Sequence, residues 1–281
     1  MRRFRFGLTL AVCGGLVTPA SAVPVNIVSN GGFETTTNGT GELVVDSSNV
    51  QQTSGIYTTS ATGWYANYST ANAGNPFLFI VAPNTADSPG FGNHWDNKLS
   101  QVWGPNNGSA NGFASVSPSG GNFLIADGDY HATAINQNLS GLVKGSTYSL
   151  TFNWAAAQWY SNTGATTEQY QVSLGGQTKS TTIFSLPSKG FSGWMSQVFT
   201  FTYDGSSSVL SFLAVGTPQG APPMLMLDGV TLYDIPEPAA WTSLLAGIAC
   251  VAGFARRRRA VGTAGRPALG TDDGREYFPT D

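Results

Sequence analysis

Few residues in this sequence are equipped for chemistry. The 281-residue chain has two histidines and two cysteines. His94 and His131 do not stand at a metal-binding spacing such as H-E-x-x-H. There is no G-x-S-x-G elbow and no placed cysteine nucleophile. A glycosidase needs only two carboxylates at the right separation. Eleven acidic residues lie between Val23 and Asp234, and nothing in their spacing selects a pair. Asp127 and Asp129 flank Gly128 in a turn, where they can bind a cation or a sugar hydroxyl, or simply form an Asx-type turn. His131, near Asp129, reads as a loop contact rather than half of an acid–base pair.

Binding has more candidates than catalysis. Trp64, Tyr65, Tyr68, Trp95, Trp103, Trp159, Tyr160 and Trp194 supply aromatic faces. Such faces stack on the apolar side of pyranose rings while Asn, Gln and Asp bind the hydroxyls. Trp159 and Tyr160 follow a strand end, beside Gln158 and Asn162, and read as loop residues. With Asp127 and Asp129 they form the candidate ligand-binding set. The competing reading is that large aromatics in a sandwich belong to the core. Trp154, on an alternating apolar face, reads as core.

The elements that position these groups are strands. The region from Val23 to Asp234 is rich in Gly, Ser, Thr, Asn and aromatics, which favours strands and turns. Tyr148, Leu150, Phe152 and Trp154 alternate with Thr147, Ser149, Thr151 and Asn153. Phe199, Phe201 and Tyr203, then Leu210, Phe212 and Ala214, repeat the pattern. Period two with one apolar face predicts half-buried antiparallel strands.

Further strands are predicted at Val25–Ser29, Phe77–Val81, Leu99–Val102, Asn122–Ala126, Ala134–Leu139, Gln169–Leu174 and Leu225–Tyr233. Turn signals at Asn30-Gly31-Gly32, Asp127-Gly128-Asp129, Lys144-Gly145, Gly175-Gly176 and Asp204-Gly205 separate them. Thr35–Thr62 reads as a long loop. The expected fold class is all-β, an antiparallel β-sandwich of the jelly-roll type, spanning 23–234 as one domain. That region has no cysteine, so burial alone must hold it. It carries four lysines and no arginine against eleven acids, a net charge of −7. A surface of that sign excludes nucleic acid as a partner.

The termini read as addresses. Arg2, Arg3 and Arg5, an apolar run from Phe6 to Val17 and Ala20-Ser21-Ala22 make a secretory signal peptide over 1–22. Cys13 leaves with it. Near the other end, Pro236, Glu237 and Pro238 precede seventeen mostly apolar residues, Ala239–Ala255, and then Arg256, Arg257, Arg258 and Arg259. A helix over 239–255 is about 26 Å long, within the usable range for a membrane span. The arginines are the membrane stop and mark the cytoplasmic side. The prolines keep the segment outside the membrane extended. The tail 260–281 is polar, lacks apolar periodicity and is expected to be disordered.

The Pro-Glu-Pro motif, apolar span and arginine cluster together resemble the PEP-CTERM sorting signal of Gram-negative bacteria. This resemblance covers 235–259 and implies exosortase as a processing partner, in bacteria that make exopolysaccharide. It also implies anchoring in the inner membrane before processing, then release to the cell surface or medium. The continuation over 260–281 departs from that pattern.

A second resemblance covers most of 23–234. Asn30-Gly31-Gly32-Phe33-Glu34, Gly63-Trp64, Asn122 to Gly128, Ala134 to Leu139, Gly145-Ser146-Thr147-Tyr148 and Leu227-Asp228-Gly229-Val230 follow in the order seen in galactose-binding-like jelly rolls, including carbohydrate-binding modules. It implies a structural Ca2+ held by Glu34 and Asp228, with a backbone carbonyl near Gly32. The alternative is that both acids cap turns. The function these readings favour is a non-catalytic, exopolysaccharide-associated or carbohydrate-binding surface protein. The competing readings are a polysaccharide-modifying hydrolase and a purely structural surface protein without sugar binding.

Overall fold

The computed structural model describes residues 24–43, 52–53, 56–67, 76–88, 102–130, 132–235 and 247. The expected signal peptide, Pro236–Pro238, the membrane span apart from residue 247, Arg256–Arg259, the tail and both histidines lie outside the described residues. Among the described residues, no helix is long and apolar enough to cross a membrane. The chain divides into two units, Met1–Ile235 and Pro236–Asp281.

The first unit is all-β. Its described strands are β1 (Gly41–Leu43), β2 (Gln52–Thr53), β3 (Ile56–Thr59), β4 (Tyr65–Ala66), β5 (Leu78–Val81), β6 (Phe123–Asp127) and β7 (Ile135–Asn138). They continue as β8 (Thr147–Gln158), β9 (Thr166–Leu174), β10 (Gln177–Ser180), β11 (Phe184–Leu186), β12 (Met195–Thr202), β13 (Val209–Thr217) and β14 (Pro223–Asp234). A larger sheet has the order β12-β8-β14-β6-β5-β1-β3-β2. A smaller one has the order β10-β9-β13-β7-β4, with β11 on β9. Every pair is antiparallel except β1 with β3, which run parallel.

Alternation explains the long strands. In β8 the side chains of Tyr148, Leu150, Phe152, Trp154 and Ala156 enter the space between the sheets. They meet Tyr170, Val172 and Leu174 of β9 and Leu210, Phe212 and Ala214 of β13. Rings of Phe152, Tyr170 and Phe212 pack edge to face, with Phe152 and Phe212 centroids 5.1 Å apart.

The other face of the larger sheet carries a second cluster. Phe79, Phe123, Ile125, Ala155, Ala157, Trp159, Met224 and Met226 pack there against Ala86, Val102, Phe113, Phe191 and Trp194 from loops. The sheet is therefore apolar on both faces, covered by a sheet on one side and by loops on the other.

Two expectations are corrected. Thr35–Thr62 contains β1, β2 and β3 rather than only loop. Its polar residues hide the strands, which are two to four residues long. Val25–Ser29 is extended but forms no strand. It hydrogen-bonds β14 through Ile27 N–H donating to the Leu232 carbonyl at 2.9 Å and the Asn26 side chain accepting from Leu232 N–H at 2.9 Å. Of Leu99–Val102, only Val102 is described, and it forms an isolated bridge to Trp159.

Candidate functional site

The first site grows from a bulge in β14. Register between β14 and β8 shifts between Asp228 and Thr231, and Gly229 takes φ +61° there. Glycine is the residue that supplies this left-handed step in a bulge. The bulge leaves Asp228 on the loop-covered face, completely buried. Its Oδ1 accepts the Gly229 N–H at 2.6 Å, and the Ser117 hydroxyl donates to its Oδ2 in a very short contact.

The Asn30–Glu34 turn delivers the second acid. Asn30 (φ +49°) and Phe33 (φ +58°) are left-handed, and Phe33 is buried. The Asn30 side chain holds the turn by donating to the Thr35 and Thr62 carbonyls and accepting from Thr35 N–H. The Trp64 indole donates to the Asn30 carbonyl at 2.9 Å, so Gly63-Trp64 closes the same turn. Gly31 lies so close to β14 that a side chain there would strike the Val230 carbonyl.

Gly32, Glu34 and Asp228 are thereby brought together. A Cβ on Gly32 would stand 3.5 Å from Asp228 Oδ1 and 3.7 Å from Glu34 Oε1. Glu34 is exposed and its Oε1 accepts the Asn122 N–H at 2.9 Å. Burial pushes the Asp228 carboxyl up to about 7, against the hydrogen bonds from Ser117 and Gly229, and the neighbouring Glu34 charge raises it further. The donor set is hard oxygen, and no ion pair with a basic side chain offsets it among the described residues. Such a set fits a calcium-type ion. Among the described residues no group of three His, Cys, Asp or Glu is assembled, so an ion here also needs carbonyls, hydroxyls or water.

The second site lies further along the same face, where β6 ends. Asp127 is registered with Met224 of β14, itself registered with Ala157 of β8. Trp159 follows two residues on, over the same face. Asp127 Oδ1 accepts the N–H groups of Asp129 (2.8 Å) and Tyr130 (3.0 Å), which is an Asx-type turn. Its Oδ2 is buried without a hydrogen-bond partner. Burial pushes this carboxyl up to about 7, against those two amide hydrogen bonds. Asp129 is half-buried. Phe77 stands 5.8 Å from Tyr130 and 5.0 Å from Trp159, centroid to centroid.

Trp159 is not the loop residue the sequence suggests. It is 6 % exposed, bridges Val102 and packs on Phe77 and Phe79. The exposed aromatic of this patch is Tyr130, at 40 %. Tyr160 is half-buried, its ring 4.7 Å from Trp103. The Trp103 indole donates to the Asn162 carbonyl at 2.7 Å, and the Lys189 ammonium lies 4.1 Å over its ring.

Sequence reasoning passed over Ser117, Tyr130, Glu168 and Lys189. Glu168 had a signal, because it continues the buried phase of Tyr170, Val172 and Leu174 on β9. It is fully buried, both carboxylate oxygens lack partners, and burial pushes it up to about 7 despite the neighbouring Thr166 hydroxyl. Ser117 and Lys189 come from loops with no periodicity to read.

No protein-family profile matches this sequence, and no curated protein matches it. Several solved structures align with it. TmCBM61 in complex with β-1,4-galactotriose aligns over 75 % of this chain and 99 % of its own, with 12 % identity and a TM-score of 0.36. The CBM22-1 xylan-binding domain of Paenibacillus barcinonensis Xyn10C aligns over 78 % of this chain and 100 % of its own, with 10 % identity and a TM-score of 0.36. Arabinose-bound MgGH51 α-L-arabinofuranosidase aligns over 74 % of this chain but 26 % of its own, with 13 % identity and a TM-score of 0.37. Likeness of this order carries no argument about function.

Proposed function

We propose that this chain is an exported, non-catalytic carbohydrate-binding component of a bacterial cell surface, associated with exopolysaccharide. The observation that carries the reading is the Asp127 patch. A buried carboxylate oxygen without a partner sits at one end of the larger sheet, beside exposed Tyr130 and the Phe77–Trp159 aromatics. Asp127 itself is buried, so the exposed Tyr130 ring, with half-buried Asp129 just before it as the accessible acceptor, is what a pyranose ring would meet.

The hydrolase reading has less support. Glu34 and Asp228 are the acids that converge from distant parts of the chain, but Asp228 is sealed under Ser117. A glycosidase acid must reach the glycosidic oxygen. A structural Ca2+ at Glu34, Asp228 and Gly32 accounts better for that pair. Delivery rests on the sequence alone. The signal peptide exports the chain, 239–255 spans the inner membrane, and exosortase acts near Pro236-Glu237-Pro238.

The test uses the full chain against a panel of neutral and acidic polysaccharides in affinity electrophoresis, with release of reducing ends measured in parallel. Retention by at least one glycan without turnover is expected. Tyr130→Ala is expected to weaken it about tenfold, as loss of one stacking ring does, while the unfolding midpoint stays within ~0.5 kcal/mol of wild type. No retention by any glycan favours the structural surface protein. Turnover favours the hydrolase. Intact mass of the protein recovered from cells and medium tests the sorting step, since processing removes Arg256–Asp281.

A further inference from the structure

We propose that the Trp103–Tyr160–Lys189 cluster is a subsite for a carboxylate-bearing sugar, a uronic acid, so that the ligand of this chain is an acidic polysaccharide. This deepens the carbohydrate-binding reading and rests on it.

The backbone at Lys189 is built rather than incidental. Lys189 has φ +60°, a conformation that costs a side chain with a Cβ and that glycine would occupy freely. Three hydrogen bonds from other segments hold it there. Its N–H donates to Oε1 of fully buried Gln158 at 2.6 Å. Its carbonyl accepts from Ser109 Oγ at 3.0 Å and Asn111 Nδ2 at 2.9 Å. Gln158 is pinned in turn by donating to the Gly164 carbonyl, and Asn111 by donating to the Trp103 carbonyl. A strained residue over-determined in this way marks a position where the side chain matters.

What that backbone presents is a cation on an aromatic. The Lys189 ammonium lies 4.1 Å over the Trp103 ring, within cation–π range. The attraction to the ring uses none of its three N–H donors, and no carboxylate pairs with it among the described residues. Tyr160 stands beside Trp103 at 4.7 Å and 57°, half-buried, with the Asn162 side chain two residues on donating to the Gly220 carbonyl. Trp103 is buried beneath the lysine, so the aromatic edge open to a sugar ring is that of half-buried Tyr160, with unused charged donors next to it.

Charge supplies the selectivity. The exported region holds four lysines against eleven acids. Its overall field repels a polyanion, so an acidic glycan can bind only where a fixed cation meets its carboxylate. A charge-assisted hydrogen bond from an ammonium to a carboxylate is stronger than one to a hydroxyl. A neutral sugar would leave the Lys189 donors unanswered.

The deciding experiment measures full-chain binding to alginate, polygalacturonate and a glucuronate-bearing xylan, each beside its carboxyl-reduced neutral form. At least one acidic polymer is expected to bind about tenfold more tightly than its reduced form. The preference should fall as salt rises. Lys189→Met should abolish the preference, Lys189→Arg should keep it, and far-UV spectra should show both variants folded. Equal binding of acidic and reduced forms overturns the proposal and leaves the carbohydrate reading intact. A preference that survives Lys189→Met in the folded variant also overturns it. Failure of every polymer in both forms overturns the carbohydrate reading together with the subsite.

Discussion

The two faces of the larger sheet are covered in different ways. Its inner face, through Leu124, Ala126, Leu150, Phe152 and Trp154, meets a second sheet. Its outer face, through Phe79, Phe123, Ile125, Met224 and Met226, meets loops. A sheet arrives with its backbone hydrogen bonds already made, so its cover is dry and apolar. A loop brings unpaired amides and short polar side chains with it. Ser117, Asn111 and the Asx turn of Asp127 all lie on or beside the loop cover. Both candidate sites of the outer face, Asp228 and Asp127, follow from that difference. Glu168 is the exception, a carboxylate without a partner on the inner face of β9.

The largest expected effect tests the dry cover. Phe152→Ala opens space among Tyr170, Phe199 and Phe212 and should cost about 3–5 kcal/mol in denaturant unfolding. Loops can settle into a gap where a sheet cannot, so Phe79→Ala should cost clearly less. Equal losses at the two positions would break the contrast.

Glu168 sharpens it. Its folded value of about 7 exceeds the ordinary 4.5, so between those values the native state binds more protons than the unfolded chain. Stability is then highest below about pH 4.5 and declines as pH rises through 7. Glu168→Gln should flatten that decline and add about 2–3 kcal/mol above pH 7. Asp127, raised in the same direction, leaves a residual slope. An unchanged pH profile in the variant would show that water reaches Glu168.

The smallest effect concerns the proposed calcium. At an ion concentration tenfold above Kd, chelation should remove about 1.4 kcal/mol from the wild type and nothing from Asp228→Asn. A midpoint indifferent to both chelator and added Ca2+ would return Glu34 and Asp228 to the role of turn caps.

Legibility followed the length of the alternating runs. β8, β12 and β13 show clear period-two patterns and stand where expected, extended at their ends by pairing with neighbours. β1, β2 and β3 are too short to show a period, and only their partners make them strands. Trp159 illustrates the opposite failure. Beyond the alternating part of β8 the sequence runs through Ala155-Ala156-Ala157, and a second buried face cannot be read from residues that small. That Glu34 and Asp228 approach each other was expected only from the resemblance to galactose-binding-like jelly rolls, since no local pattern pairs residues so far apart in sequence. Lys189 was not legible, because nothing local connects it to Trp103.

By itself, the sequence determined the all-β class, the strand-rich and arginine-free region between its basic ends, and the turns at Asn30-Gly31-Gly32, Lys144-Gly145, Gly175-Gly176 and Asp204-Gly205. Each of these is a local property, set by side-chain alternation, by charge or by the residues that tolerate positive φ. Only the tertiary structure decided which acids meet, which aromatics are covered and where a lysine finds its ring. Asp228 reaches Glu34 through a one-residue bulge, and Lys189 reaches Trp103 from a loop that Gln158, Ser109 and Asn111 hold in place. A shift of one residue in the β14 register would turn Asp228 to the other face.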